Sequence, residues 1–178
     1  MSDFEPGPLA DIAREPTGDR WTLVFVRDLG YPPERVWAAL TEPAQLAAWA
    51  PYTADRDLGS LGPATLTMID GPTGGPGDTP LPTEVLRVEP PTLLEYGWGT
   101  DLLRWELAAA GTGTRLTLRH TMADRDAVPM VAAGWHLCLA VADRLLDGHP
   151  IDPIRGQDAR NYGWEELRDA YGDRLPDR

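Results

Sequence analysis

The stretch LLEYGWGTDLLRWELAAAGTGTRLTLRHTM, residues 93–122, decides the fold. It holds three runs of alternating apolar residues, separated by Gly99-Thr100-Asp101 and Gly111-Thr112-Gly113. Side chains along a strand point to opposite faces in turn, so a period of two bounded by glycine turns reads as an antiparallel meander. Leu94, Tyr96 and Trp98 share one face of the first run. Leu103, Trp105 and Leu107 share one face of the second, opposite Arg104 and Glu106. In the third, Thr114, Leu116, Leu118, His120 and Met122 face one way, and Arg115, Thr117, Arg119 and Thr121 the other. The apolar side of this sheet is rich in tryptophan, and His120 lies on it.

Working upstream, Thr83–Glu89 reads as a further strand turned by Pro90-Pro91, and Leu66 and Met68 alternate with Thr65 and Thr67 in another. The glycine- and proline-rich segment Gly71–Pro82 between them reads as a loop. Trp21, Leu23 and Phe25 alternate with Thr22, Val24 and Val26 to give the first strand. Two short helices follow, Pro33–Leu40 and Pro43–Trp49, each opened by a proline that the first helical turn tolerates; Thr41 is placed to cap the second. Residues 1–19, with three prolines and two glycines, read as a mobile arm.

Downstream, a long helix is expected over Asp126–Asp147, capped by Asp124 or Asp126 and stopped at Gly148. Val131, Trp135, Cys138, Ala142 and Leu145 form its core stripe, with His136 on the flank. Gly134 in mid-helix costs about 1 kcal/mol against alanine, which suggests close approach of the backbone to a strand or a bulky ring. A last short helix is expected near Tyr162–Arg174, docked on the domain or on a second copy. The order strand, two short helices, strands, long helix gives an α+β layer architecture with the helix on one sheet face. The domain organisation is an arm over 1–19, one domain over 20–148 and a C-terminal extension over 149–178.

Composition narrows the function. Sixteen basic against 28 acidic residues give a net charge of −12, the wrong sign for a nucleic-acid backbone or an anionic membrane surface. No apolar run is long enough to span a bilayer and the first residues carry Asp3 and Glu5 in place of a signal, so a cytoplasmic location is expected. There is no zinc-ligand spacing, no nucleotide-binding glycine motif and no nucleophile elbow, so no metal or cofactor is expected. The single cysteine, Cys138, lies amid apolar helix residues, where a thiol is inert. Seven tryptophans remain as the distinctive feature. Trp49, Trp98, Trp105 and Trp135 either line an apolar pocket or simply fill the core.

Several segments together resemble the activator of heat-shock protein 90 ATPase homologue-like family, within the START/SRPBCC superfamily. They run from Tyr31-Pro32-Pro33-Glu34-Arg35-Val36-Trp37 through Thr41-Glu42-Pro43, with Leu46 and Trp49 following. Val85–Pro91, Leu94–Trp98, Gly113–Leu118 and Gly134-Trp135-His136 with Leu139 come next, in order, over roughly residues 20–148. The resemblance implies a helix-grip fold, a curved antiparallel sheet wrapped on a long C-terminal helix around a ligand-sized cavity. Superfamily relatives include binding proteins for lipids, hormones and polyketides, as well as cyclases and hydrolases, and fold does not choose among them.

The leading expectation is a non-enzymatic protein that binds a small hydrophobic or aromatic molecule, with Met68, Tyr96, Trp98, Trp105, His120, Trp135 and Leu139 around it and no assigned catalytic residue. The alternative is a cyclase- or hydrolase-like enzyme in which His120 acts as acid or base beside a carboxylate or Tyr96. A co-chaperone role is the third reading, with a chaperone partner that no sequence feature specifies; a homodimer is also left open.

Overall fold

The computed structural model describes residues 5–69, 79–154 and 156–175. Eight strands form one antiparallel sheet: β1 (Asp11–Thr17), β2 (Arg20–Leu29), β3 (Tyr52–Ala54), β4 (Gly62–Met68), β5 (Thr79–Glu89), β6 (Leu93–Trp98), β7 (Asp101–Ala110) and β8 (Gly113–Met122). Their spatial order is β1-β2-β8-β7-β6-β5-β4-β3. Helices α1 (Pro33–Thr41) and α2 (Pro43–Trp49) follow β2, and α3 (Val128–Leu146) and α4 (Trp164–Arg174) follow β8. This is the helix-grip architecture.

The meander carries the faces that its alternation predicts. Leu94, Tyr96, Leu103, Trp105, Leu116, Leu118 and His120 are all buried, while Arg115 stands in solvent. The turn before β8 is sterically fixed: a Cβ on Gly113 would lie 2.2 Å from the Leu29 carbonyl oxygen, so only glycine fits there.

Four expectations change. The mobile arm is a strand over Asp11–Thr17, paired with β2 from Asp11↔Val26 to Thr17↔Arg20. Its side chains are mostly exposed, so backbone bonding to the long β2, not core burial, makes it a strand. The end of the expected Gly71–Pro82 loop is strand too, since β5 starts at Thr79; residues 71–78 lie outside the described residues. Pro80 and Pro82 are tolerated because β6 runs alongside only from Val85 onward, which leaves an unpaired edge for the missing donors. Thr41 does not cap α2: its hydroxyl donates back to the Trp37 carbonyl at 2.9 Å. Finally, α3 is buried well beyond one stripe. Ala132, Ala133, His136, Leu137, Leu139, Ala140 and Val141 are covered as well, because α1, α2 and α4 pack on this helix in addition to the sheet. Asp124 caps the turn ahead of α3, and Gly148 ends it at φ +79.

No described helix is long and apolar enough to cross a membrane. Among the described residues, no cluster of His, Cys, Asp or Glu is arranged to hold a metal ion.

Candidate functional site

Between sheet and helix the interior is filled by rings. Trp49, Tyr52, Tyr96 and Trp105 are fully buried. Trp49 crosses Trp105 edge to face at 6.1 Å, Trp105 crosses Trp135 at 5.3 Å, and Trp135 meets Trp98 at 5.5 Å. The polar ends of this file are satisfied internally. The Trp49 indole donates to the Ala39 carbonyl at 2.8 Å, the Trp105 indole donates to the Tyr96 hydroxyl at 3.3 Å, and Tyr96 and Tyr52 share a hydroxyl–hydroxyl bond. Burial pushes the Tyr96 hydroxyl up to about 12 and Tyr52 well above its ordinary value, so both keep their protons at neutral pH.

His120, 1% exposed, sits behind this file. Its Nδ1 lies 3.0 Å from the Trp135 indole nitrogen, and its Nε2 lies 2.7 Å from Asp101 Oδ2. An indole N–H can only donate, so Nδ1 is the acceptor and the proton of the neutral ring sits on Nε2, facing Asp101. Arg20 holds the same carboxylate at 3.3 Å. The chain Trp135–His120–Asp101–Arg20 therefore pins the Trp135 ring, and both imidazole nitrogens are spent in doing so.

The file of rings ends at a partly open pocket of about 240 Å³. Trp98 and Trp135 form one wall and Pro51 its corner, and Val131, Gly134 and Cys138 of α3 form the floor. The opposite side comes from the C-terminal extension, through Ile154, Ala159 and Trp164. Beyond the adjoining backbone of its own helix, a Cβ built on Gly134 meets nothing within 4 Å. The close approach expected at this glycine is thus absent; what lies over it is the pocket.

The extension is fastened by a second buried histidine. Tyr171 of α4 donates its hydroxyl proton to His136 Nδ1 at 2.6 Å and accepts from the Ala10 backbone N–H at 2.9 Å. His136 Nε2 in turn donates to the Pro6 carbonyl at 2.9 Å, which fixes its neutral tautomer. Burial, helped by the Arg27 charge, lowers the His136 pKa to about 4.

The sequence-derived site residues divide into three groups. Trp98 and Trp135 come together on the pocket wall. Tyr96, Trp105 and Leu139 lie in the closed core, and His120 stands behind Trp135. Met68 lies on the far side of Trp98, whose indole N–H donates to its sulfur at 2.9 Å. Gly134, Ile154 and Trp164 were not legible as pocket residues. The one available signal was the mid-helix Gly134, which reads equally as close approach of a strand or ring and as room for a ligand.

A family model, the Activator of Hsp90 ATPase homolog 1-like protein, matches residues 30–147. The chain belongs to this family. Solved structures agree on the fold. CalU16 from Micromonospora echinospora is 17% identical, with a TM-score of 0.64 over 92% of this chain and 95% of that one. The Bordetella parapertussis protein encoded by BPP1335 is 24% identical, with a TM-score of 0.66 over 97% and 95%. MLL2253 from Mesorhizobium loti is 26% identical, with a TM-score of 0.58; it is matched over 99% of its own length but 73% of this chain. No curated protein matches the chain. The family match stops before Ile154, Ala159 and Trp164, so the extension's side of the pocket lies outside the family-defining segment.

Proposed function

We propose that this family member is a non-catalytic binding protein for a small, flat, uncharged apolar molecule, held between α3 and the C-terminal extension. The observation that carries this reading is the open space above Gly134. A mid-helix glycine forfeits about 1 kcal/mol of helix stability, and here the absent side chain is what gives the pocket its depth. Sites of this kind are mostly apolar with few polar groups. Both wall indoles have their N–H groups committed, Trp98 to Met68 and Trp135 to His120, so they offer ring faces, not donors. An apolar cavity of roughly 150 Å³ already accepts benzene, so about 240 Å³ suits a molecule of one or two rings.

The Asp101–His120 contact is the carboxylate partner that a catalytic role for His120 requires. The other ring nitrogen is taken by Trp135, however, and the ring is buried, which favours a supporting role. The test is titration of the intrinsic tryptophan fluorescence with naphthalene, indole and short-chain fatty acids, in the native chain and in Gly134→Leu. Saturable quenching by the aromatics that the leucine variant loses supports the reading. Equal responses from the two proteins, or none from either, defeat it.

A further inference from the structure

The two wall tryptophans are held very differently. Trp135 is anchored through a strong acceptor and a charged chain behind it. Trp98 is half-buried at the last position of β6, next to Gly99 at φ +62, and its N–H is spent on a thioether, among the weakest acceptors a protein offers. Trp98 also borders two spaces at once. One is the pocket above Gly134. The other is a shallow, open groove of about 280 Å³ that shares only Trp98 with the pocket and is otherwise walled by Met68, Leu81 and the Gly99-Thr100-Asp101 turn.

We propose that Trp98 is the length-determining residue of the binding site: its indole ends the pocket, and the groove beyond it is the site's unused continuation. The inference rests on the binding reading above and adds what that reading leaves open, namely which ligands are refused. A molecule with a ring-sized head fits over Gly134, against the Trp135 ring and the C-terminal extension. A tail attached to that head runs into Trp98, and behind the indole the apolar side chains of Met68 and Leu81 would otherwise receive it. The ring contacts that Trp98 makes at 5.5 Å with Tyr52, His120 and Trp135 set the partition's position.

A homologous series of neutral fluorescent probes tests this: 6-acyl-2-(dimethylamino)naphthalenes with acetyl, propionyl and hexanoyl tails. A methylene that finds an apolar wall tightens binding about fourfold, so an unobstructed site favours the longest tail. The native chain is expected to bind the hexanoyl probe at least about tenfold more weakly than the propionyl one, against that trend. Trp98→Ala is expected to reverse the order, and Trp98→Phe, which keeps a ring in place, to retain the native one. Should the alanine variant fail to fold, Trp98→Leu carries the same expectation. If the native chain binds the probes and the smaller variants keep its order of preference, Trp98 is not the limit and the pocket reading survives. If neither the native chain nor any variant binds any probe, the pocket reading falls and this inference with it.

Discussion

Gly134→Ala is the perturbation for which the structure gives the clearest arithmetic. The residue lies in the seventh position of a 19-residue helix, and beyond the helix's own adjoining backbone nothing comes within 4 Å of its would-be Cβ. The added methyl therefore clashes with nothing, and the helix gains about 1 kcal/mol from the smaller entropy loss of alanine. For a chain of this size that corresponds to a rise in Tm of about 2–4 °C. The same methyl occupies the pocket floor, so affinity for a ring-sized ligand should fall several-fold while stability rises. Gly113→Ala is the matched control. Its methyl would lie 2.2 Å from the Leu29 carbonyl, so the backbone of β2 or β8 must move, at a cost on the order of 2 kcal/mol or more. Thermal and urea unfolding of the three proteins, together with a binding titration, give the comparison. A lower Tm for Gly134→Ala, or stability gained with affinity untouched, would refute the argument that the glycine is there for the pocket.

Four further outcomes are expected. His136 is neutral in the fold with a pKa of about 4, against about 6.5 when unfolded, so the unfolded chain takes up the proton first. Stability from this site is complete above pH 6.5 and falls by about 3 kcal/mol as pH drops to 4; urea melts at pH 7, 5.5 and 4.5 should show a shallower acid slope in His136→Asn. Tyr171→Phe removes the hydroxyl that links His136 to the Ala10 N–H, at a cost of about 1–3 kcal/mol, and amides of α4 should then exchange faster than those of the sheet. Tyr96→Phe strips partners from Tyr52 and Trp105 inside the closed core, and a loss of about 1–3 kcal/mol in urea melts is expected. Asp101→Asn keeps the fold but loosens the Trp135 ring through His120. The near-ultraviolet circular dichroism should change in its tryptophan bands, and an unchanged spectrum would count against the anchoring chain.

The strands of residues 93–122 and their faces were legible because alternation, glycine turns and burial all point the same way there. β1 was not: Asp11–Thr17 carries little apolar alternation, and it becomes a strand only because β2 offers an open edge. The pocket was legible in part. Trp98 and Trp135 stood out as inward-facing rings, yet alternation says which way a ring points and not whether space remains beside it. Tyr96 and Trp105 point inward as expected and meet each other, closing the core between sheet and helix. The opposite wall was out of reach, because Ile154, Ala159 and Trp164 reach the pocket only through the docking of α4 on α3. That docking depends on Tyr171 meeting His136, residues 35 positions apart with no pattern connecting them.

Crystals soaked in 2-bromonaphthalene would show directly whether an apolar site lies over Gly134 between Trp98, Trp135 and the C-terminal extension. An anomalous bromine peak is expected in that pocket, in van der Waals contact with the Trp135 ring and the Gly134 backbone. Bromine inside the ring-filled core, or crystals in which the probe binds elsewhere while the pocket over Gly134 stays empty, would contradict it.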